Sequence, residues 1–520
     1  MKYASSGRPD ADAHRHIVLA SICASGILIP IVFSGPAIAL PDIARHLPGD
    51  VFTLSWIVNA YNVAFGSLVM AGGALADQVG RRRCFLFGLV LFLLTSLLIV
   101  FTPSLTILIA LRAIEGIGGA LTLTAGASLI TQAFEGHART RAFSLLGTSF
   151  GIGLAFGPLT TGIIVSTWGW RALFLAIAIA SLLILVVVFN NIEESRNPDA
   201  RGVDLAGTIT FTAALAVIIF SIVQGPHFGW GSGITVGLLG VGCLLLLLFV
   251  AVELRIRAPM LDLSLFRHAR FLGVLLLPVV TGFSFIALLV YLPIWFIGIK
   301  GYDAFHAGLA ILPLTAPMLV VPFLSGVLSK HFSPASLCSA GLALAAVGVF
   351  GLSRLTPGSA FVDVALPMLV IGIGNGVPWG LMDSLAMNAI PKERAGMAAG
   401  IFSTMRVTGE AIAIAVIGAA LIGLTHTSLA SVPAIGTESA AALTNSITSG
   451  NMGEPLRGLS PVVREVWVTA SVNAYAAALK TVLSAIAILA LISAWVLWLT
   501  LRRPAPVELS MQASKSGLDR

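Results

Sequence analysis

Hydrophobic residues lie in long runs along this chain, separated by short groups of charged residues, glycine and proline. A helix of about 20 apolar residues crosses the hydrocarbon core of a bilayer, so each such run predicts one transmembrane span. The pattern predicts an all-α polytopic membrane protein. Its spans one to fourteen are placed at about 17–41, 52–76, 83–101, 104–130, 140–166, 169–190, 205–223, 234–255, 271–298, 305–328, 334–353, 362–389, 397–424 and 478–501.

Composition excludes a soluble protein. Of 520 residues, 57% are hydrophobic and 10% charged, against about 25% charged in soluble domains. The four cysteines, Cys23, Cys84, Cys243 and Cys338, are far apart and form no C-x-x-C pair, which predicts neither a metal site nor a disulfide framework. The first run is longer than the apolar region of a signal peptide, so we treat it as a retained span.

Lysine and arginine alternate between the predicted loops, as the positive-inside rule requires. This places both termini in the cytoplasm and the chain in the inner (plasma) membrane. The net charge of +7 forms no continuous basic face, so no nucleic-acid partner is expected. The predicted inner positions are Lys2, Arg8, Arg15, Arg81, Arg82, Arg83, Arg139, Arg141, Arg196, Arg201, Arg255, Arg257, Arg267, Arg270, Lys330, Lys392, Arg394, Arg502 and Arg503, with Arg45, Lys300 and Arg354 as exceptions.

Two connections are longer than the others. Residues 191–204 are polar and predicted to be cytoplasmic, whereas 425–477 are rich in Ser, Thr and Gly and predicted to lie outside. The second half of the outer loop, PVVREVWVTASVNAYAAAL, is either an amphipathic helix lying on the membrane surface or a simple connector.

A short internal repeat suggests two related halves. Arg141-Ala142 precede Gly147 at the start of span five, and Arg394-Ala395 precede Gly400 at the start of span thirteen. Internal repeats are typical of secondary transporters. We therefore expect a cytoplasmic N-terminus at 1–16, a first six-helix half at 17–190, two inserted helices at 205–255, a second half at 256–501 and a cytoplasmic tail at 502–520.

The string GALADQVGRRR lies where span two meets the predicted cytoplasm. Gly73 permits close helix approach, Asp77 can cap or pair at the membrane edge, and Gly80 allows a turn. Arg81 and Arg82 can anchor to lipid headgroups. The simpler interpretation is an ordinary positive-inside loop, which does not require the glycines and the aspartate in this order.

This string resembles the loop signature of the major facilitator superfamily, G-x-L-A-D-x-x-G-R-R-R. LRAIEGIGGA (111–120) resembles the span-four signature with its intramembrane arginine, Arg112, and GIGLAFGPLTTG (151–162) resembles the Gly-Pro signature of span five in antiporters. WGWRALFLA (168–176) and WIVNAYNVAFGSL (56–68) resemble the fourteen-span drug:proton antiporter branch. The resemblance implies the major facilitator fold, multidrug efflux by proton antiport, no cofactor and no enzymatic reaction.

Three positions depart from the pattern that the resemblance implies. The branch usually has an aspartate in span one before Ala39-Leu40-Pro41, and Val32 occupies that place here. Glu115 stands where glutamine is usual, and Glu410 stands where glycine is usual in span thirteen. One acid is missing and two are added, so the coupling residue has to be sought elsewhere.

Few ionisable residues lie within the predicted spans. Arg112 and Glu115 are three residues apart, Arg406 and Glu410 are four apart, and each pair shares a helix face. Asp383 lies in span twelve without a nearby basic residue in the sequence. Such residues mark ion or substrate paths, although a static pair that fixes helix packing is the alternative. Our hypothesis is that Asp383 and Glu410 share the coupling role left vacant at Val32, and Glu115, Arg112 and Arg406 are the other candidates for proton coupling. The competing hypothesis is that Glu410 binds a cationic substrate directly.

Aromatic and amide side chains near mid-span are candidates for substrate contact. Tyr61, Tyr291 and Trp379 can stack on a lipophilic or cationic molecule, and Asn59 and Asn375 supply polar contacts. The alternative is that these aromatics belong to the belt of Trp and Tyr at the membrane interface.

Gly153, Gly157 and Pro158 form a small-xxx-small pattern followed by a helix breaker. The structural interpretation is close backbone packing. The functional interpretation is a tight seam that limits proton leak or governs rocking of the two halves.

The leading hypothesis is a secondary exporter of lipophilic or cationic small molecules driven by protons. An importer of a specific metabolite on the same fold is the alternative, because fold does not fix function; a non-transporting membrane sensor is a third. No Walker A string is present, which disfavours ATP-driven pumping. The expected partners are a small-molecule substrate, protons and the lipid bilayer, and we expect a monomer.

Overall fold

The computed structural model describes residues 9–134, 136–192, 194, 204–256, 259, 261, 266–267, 269–388, 395–432, 435–448, 456 and 459–501. Within these residues the regular structure is entirely helical. In this described part of the chain, fourteen helical segments are long and apolar enough to cross a membrane, which confirms the predicted fold class and number of spans.

Spans one to eight are single helices. Short connections separate them, and several begin or end at residues suited to helix termini. The Asp50 carboxylate accepts a hydrogen bond from Thr53 N–H at the start of the second helix, and Gly80 and Gly169 have positive φ at two tight breaks. The helices are α1 (Pro9–His46), α2 (Val51–Val79), α3 (Arg81–Phe101), α4 (Leu105–Ala133), α5 (Gly136–Trp168), α6 (Trp170–Asn191), α7 (Leu205–Phe228) and α8 (Gly233–Glu253).

Spans nine and ten are interrupted helices. Span nine consists of α9 (Ala269–Thr281), a π-helical segment (Gly282–Ile286) and α10 (Ala287–Gly298). Span ten consists of α11 (Ala304–Ala310), α12 (Leu312–Thr315), a 3₁₀ turn (Ala316–Leu319) and α13 (Val321–Leu328). Proline removes a backbone donor and disturbs the preceding turn, and span ten contains Pro313, Pro317 and Pro322.

The remaining helices are α14 (Pro334–Leu352), α15 (Phe361–Asn388), α16 (Ala395–Ala430), α17 (Thr437–Thr448) and α18 (Pro461–Leu501). The second half of the predicted outer loop is neither a surface helix nor a simple connector, because it forms the start of the continuous 41-residue helix α18. The segment between α16 and α18 is folded rather than a simple connector. Its apolar cluster consists of Leu429, Ile435, Ala440, Leu443, Leu456 and Ala474.

The helices pack in two groups. In the first group, α2 and α3 pack on α4, α1 packs on α5, and α3 packs on α6. In the second, α14 packs on α15 and α18, and α16 packs on α18. The groups meet where α1 contacts α10, α2 contacts α16, and α5 contacts α11.

The inserted helices α7 and α8 lie beside the boundary between the two groups. Helix α7 contacts α2 and α16 at the same time. Its buried face packs against both, in a cluster of Val63, Leu215, Ile219, Val223, Ala411 and Ala415. Helix α8 packs on α7 and is otherwise largely exposed, as expected for a lipid-facing helix.

We call the end of the bundle that carries α17 the predicted outer end, after the distribution of Lys and Arg, and the opposite end the predicted inner end. At the outer end Gly162 packs against Ala304, and Gly308 packs against Pro158. Nearer the middle Gly151 packs against the Met318 carbonyl. Closer to the inner end of α5, a Cβ added at Gly147 would meet no heavy atom within 4 Å. Helix α5 therefore lies close to span ten at the outer end, whereas at Gly147 it has no neighbour in the direction of the missing side chain.

Candidate transport site

A buried ion pair lies in the first third of α4. Arg112 and Glu115 are three residues apart, so both side chains leave the same face of the helix. Arg112 Nη1 donates to Glu115 Oε2 at 2.5 Å, and both side chains are 0% exposed. A charge-assisted bond of this kind is strong, but its charges have lost all contact with water.

Arg112 is also held by two neighbouring helices. Its Nε donates to the Ile57 carbonyl at 2.9 Å, and its Nη2 donates to the Val32 carbonyl at 3.1 Å. The guanidinium lies 4.5 Å from the ring centroid of Tyr61. Arg112 thus contacts the main chain of Val32, the position where the family resemblance implies an aspartate. The guanidinium keeps three favourable contacts that do not involve Glu115.

The second oxygen of Glu115 has its own partner. Ser96 on α3 donates from Oγ to Glu115 Oε1 at 2.6 Å, and Ser96 is fully buried. Sequence analysis missed Ser96. The signal available was a hydroxyl-bearing pair, Thr95-Ser96, within the apolar run of span three.

Arg406 and Glu410 share a helix face but form no ion pair within 4 Å. Arg406 Nη1 instead lies 3.6 Å from Asp383 Oδ2 on α15, with the two side chains 22% and 56% exposed. Arginine four residues before glutamate is the less favourable order along a helix, and α15 offers Arg406 an alternative carboxylate. Among the residues that the structure describes, the half-buried Glu410 carboxylate has no hydrogen bond and no ion pair within 4 Å.

The main chain at Glu410 packs closely on the π-helical segment of span nine. A Cβ added to Gly282, the first residue of that segment, would lie 3.2 Å from Glu410 Cα. Glycine at this position therefore allows the two helices to approach each other. Single π-helical turns occur frequently at functional sites.

The candidate amide and aromatic residues of the second group adjoin the same segment. Asn375 is fully buried; its Nδ2 donates to the Ile371 carbonyl at 3.0 Å, and its Oδ1 accepts from Ser284 Oγ at 2.8 Å. The Trp379 ring is half-buried and lies 6.2 Å from the Phe285 ring. Ser284 and Phe285 are both π-helical residues, so this segment joins the two candidates.

Tyr291 lies where the two groups of helices meet. Its hydroxyl donates to the Ile414 carbonyl at 2.7 Å. It lines a cavity of about 30 Å³, which is enough for a water molecule. The other residues lining the cavity are Leu40, Ser55, Val58, Val290, Ile294, Ile414, Gly418, Leu421, Ile422, Thr448 and Tyr475.

Three buried polar residues of α2 have a side-chain N or O atom without a hydrogen-bond partner in the described part of the chain. They are Asn59 Oδ1, the Tyr61 hydroxyl and Asn62 Nδ2. Tyr61 is packed under Arg112 and is 0% exposed, so it supports the ion pair in this structure and does not line an open cavity. Asn62 was not predicted as a site residue.

The loop between α2 and α3 turns at Gly80, whose φ of 127° is strained for other residues. The Glu194 carboxylate accepts hydrogen bonds from the backbone N–H groups of Arg82 and Arg83, each at 3.2 Å. Sequence analysis missed Glu194, which lies after α6. It satisfies N–H groups at the start of α3 and connects this loop to the end of α6.

The other residues of the loop motif have separate surroundings. Arg82 Nη2 donates to the Phe189 carbonyl at 2.8 Å, and Arg81 Nη1 donates to Gln132 Oε1 at 3.5 Å. Gly73 has no heavy atom within 4 Å of an added Cβ, so the expected close approach is absent there. The side chain of Asp77 lies outside the described residues.

The glycines of α5 pack within the first group of helices. Gly153 lies against the Ile27 carbonyl, and Gly157 lies against Ser34, both on α1. Pro158 faces the other group, where its carbonyl contacts Gly308. One face of α5 therefore fixes α1, and another contacts span ten.

No group of three or more His, Cys, Asp and Glu in the described residues could hold a metal ion.

A family model of the major facilitator superfamily matches residues 22–414. The chain belongs to the major facilitator superfamily. It is 33% identical over 413 residues to the multidrug resistance protein Stp of Mycobacterium tuberculosis, covering 78% of this chain and 76% of that protein. It is 32% identical over 428 residues to the cephamycin export protein CmcT of Amycolatopsis lactamdurans, covering 79% and 86%. Its relatives are thus drug and antibiotic efflux transporters of this superfamily.

A solved structure gives the same fold. The bacterial homolog of the human lysosomal transporter Spinster, in an inward-facing and unoccupied conformation, superposes with a TM-score of 0.68. The alignment covers 95% of this chain and 99% of that one at 14% identity, so the likeness concerns the fold alone.

Proposed function

We propose that this protein exports lipophilic or cationic small molecules, including drugs and antibiotics, in exchange for protons. It acts in the plasma membrane with both termini in the cytoplasm and the α17 end outside. The efflux functions in the names of its relatives support the export direction. The observation that carries the proposal of proton exchange is the buried pair of Arg112 and Glu115.

A buried ion pair is a costly way to stabilise a fold, because both charges lose their hydration. Within a membrane such groups are usually functional. Arginine keeps its proton in proteins, and Arg112 retains the carbonyls of Ile57 and Val32 when the carboxylate is neutral. Glu115 is therefore the member of the pair that gains and loses a proton.

Alternating access gives proton exchange at Glu115 its direction. Glu115 is sealed in this structure, in which α5 and span ten lie close together at the predicted outer end. Opening of that end loads Glu115 from outside, and opening of the inner end releases the proton to the cytoplasm. Asp383 is 56% exposed and paired with Arg406, so it is a weaker candidate for a carrier that must be sealed from both sides.

The test uses everted membrane vesicles in which respiration acidifies the lumen. Adding a transported substrate should release luminal protons, and a pH-sensitive dye reports this release. Glu115→Gln should abolish the substrate-induced release while leaving the protein folded. Glu465→Gln, which changes an exposed glutamate of α18, is the matched control and should behave as wild type. Normal proton release by Glu115→Gln would overturn this assignment.

The direction of transport is tested separately in intact cells. Export predicts lower accumulation of a fluorescent substrate, and a protonophore should remove the difference. Faster uptake of a metabolite, with no change in drug accumulation, would identify an importer.

A further inference from the structure

We propose that Ser96 is a positioning residue for proton exchange, which holds the Glu115 carboxyl group in place while the proton is bound and released at Oε2. This inference rests on the proposed function and deepens it, because it assigns different tasks to the two carboxyl oxygens. Oε1 stays fixed to α3 throughout the cycle. Oε2 faces Arg112 and takes the proton, which water delivers and removes when the site opens.

The two oxygens of Glu115 have different partners in the structure. Ser96 Oγ donates to Oε1 at 2.6 Å, and Arg112 Nη1 donates to Oε2 at 2.5 Å. All three side chains are fully buried. An O–H donor at this distance from a carboxylate forms a charge-assisted bond, about twice as strong as a neutral one. The carboxylate is therefore held from α3 through Oε1 and from α4 itself through Oε2.

The two bonds respond differently to a proton. A neutral carboxyl group still has a carbonyl oxygen that accepts a hydrogen bond from a hydroxyl, so the contact with Ser96 survives protonation. The contact with Arg112 loses its charge attraction, and the guanidinium keeps the carbonyls of Ile57 and Val32 as partners. Protonation at Oε2 thus weakens one contact and keeps the other, which leaves the carboxyl group oriented for the release step.

The direction of the Ser96 hydroxyl differs from that of its neighbour. A hydroxyl within a helix can donate to the carbonyl four residues earlier, and Thr95 does so, with Oγ1 2.6 Å from the Leu91 carbonyl. The Ser96 hydroxyl crosses to α4. Its single O–H donor therefore serves the carboxyl group of Glu115 and not its own helix.

Close packing of α3 on α4 keeps Ser96 within reach of Glu115. A Cβ added to Gly118 would lie 2.9 Å from the Gly88 carbonyl, and a Cβ added to Gly88 would lie 2.7 Å from the Gly118 carbonyl. These glycines bring the two backbones into contact about two helical turns from Ser96 along α3. Because helices packed this closely move together, Ser96 stays beside Glu115 when the two helix groups rock.

The α3 side of the carboxyl group is turned towards the bilayer. Ser96 is buried, and the opposite face of α3 carries Leu94, 50% exposed, and Leu98, 56% exposed. Water-borne protons therefore reach the carboxyl group at Oε2, on the side of α1 and α2. Within the described residues, the charged and titratable side chains that act on Glu115 are Arg112 and Tyr61.

The first test measures substrate-induced proton release in everted vesicles. Ser96→Ala removes the donor and should slow the release about tenfold, the effect of losing one hydrogen bond to a charged group. Ser96→Cys keeps a weak donor and should give an intermediate rate. Thr95→Val is the matched control, because the Thr95 hydroxyl bonds within α3, and it should release protons like wild type. A wild-type rate in Ser96→Ala would overturn the positioning role.

An infrared measurement separates positioning from a general loss of packing. The C=O stretch of a protonated carboxyl group lies at lower wavenumber when its oxygen accepts a hydrogen bond. In the purified protein, the acid-induced difference spectrum should contain a C=O band that Glu115→Gln removes, and Ser96→Ala should move this band to higher wavenumber. Proton release that persists in Glu115→Gln would contradict the proposed function. Loss of release in Glu115→Gln with an unmoved band in Ser96→Ala would contradict the positioning role alone.

Discussion

Arg406 Nη1 on α16 lies 3.6 Å from Asp383 Oδ2 on α15, and this contact joins two neighbouring spans of the second helix group. The contact holds the Arg406 charge beside Asp383, although the same arginine is only one helical turn from Glu410. Among the described residues Glu410 forms no ion pair within 4 Å, and the charge of Arg406 still acts on it from one helical turn away.

Removing Asp383 should test whether Glu410 binds cationic substrates directly, which is the alternative to a coupling role. In Asp383→Asn the freed Arg406 is expected to turn towards Glu410 and compete with a cationic substrate. Accumulation of a cationic dye in intact cells should then rise, and the double variant Asp383→Asn/Arg406→Gln should restore the wild-type level. Equal accumulation with wild type and Asp383→Asn would show that Arg406 does not compete for Glu410.

Replacing Arg112 should test the forked geometry of the buried pair. Lysine keeps the charge but cannot reach Glu115 and the carbonyls of Ile57 and Val32 in three fixed directions. Arg112→Lys should lose substrate-induced proton release in vesicles. Arg112→Ala leaves a buried carboxylate without its partner, which should cost about 3–5 kcal/mol of stability and lower the thermal unfolding temperature. Near-normal transport by Arg112→Lys would reduce the role of Arg112 to charge balance.

A side chain at Gly308 should prevent closure of the predicted outer end. A Cβ there would lie 2.5 Å from the Pro158 carbonyl, and overpacking of this kind costs about 1–3 kcal/mol. Gly308→Val should favour the conformation with that end open. A cysteine at Ser55, in the cavity at the meeting of the helix groups, should then react faster with an impermeant thiol reagent.

Gly147→Val is the matched control for this experiment, because no heavy atom lies within 4 Å of its added Cβ. It should leave the labelling rate of the cysteine at Ser55 unchanged. Equal labelling rates in Gly308→Val and Gly147→Val would mean that the contact with Pro158 does not limit opening.

Cysteines in the segment between α16 and α18 should report both topology and conformation. A cysteine at Ser460, which is exposed, should react with an impermeant reagent in intact cells that lack the native cysteines. Ser446 on α17 is 7% exposed, so a cysteine there should react slowly at rest and faster during turnover. Labelling of the Ser460 position only after lysis would reverse the predicted orientation.

The sequence permits prediction of interactions along one helix better than interactions between helices. The spacing of Arg112 and Glu115 brings them together because both lie on α4. The partners of that pair on other helices were not predictable, since Ile57 and Val32 contribute backbone carbonyls that their side chains do not reveal. The same kind of spacing does not bring Arg406 into an ion pair with Glu410. The packing of α15 on α16 instead places Asp383, which is distant in sequence, beside Arg406.

The fourteen spans were predicted well because their length and apolar content are set by the bilayer. The interruption of span nine at Gly282–Ile286 was not predicted, since a π-helical turn leaves little trace in hydropathy. Asn59, Asn375 and Trp379 can be singled out from the sequence as polar or amphipathic residues in apolar runs. Their contacts, such as Asn375 with Ser284, depend on tertiary packing.

The position of α7 has a consequence for the surrounding lipid. Its buried face rests on α2 and α16 together, through Leu215, Ile219 and Val223. When the two groups of helices rock, a crevice between α2 and α16 would admit acyl chains from the side. An apolar helix that covers this crevice would keep lipid out while the two groups move. Protons carried by water would then enter and leave only at the two ends of the bundle.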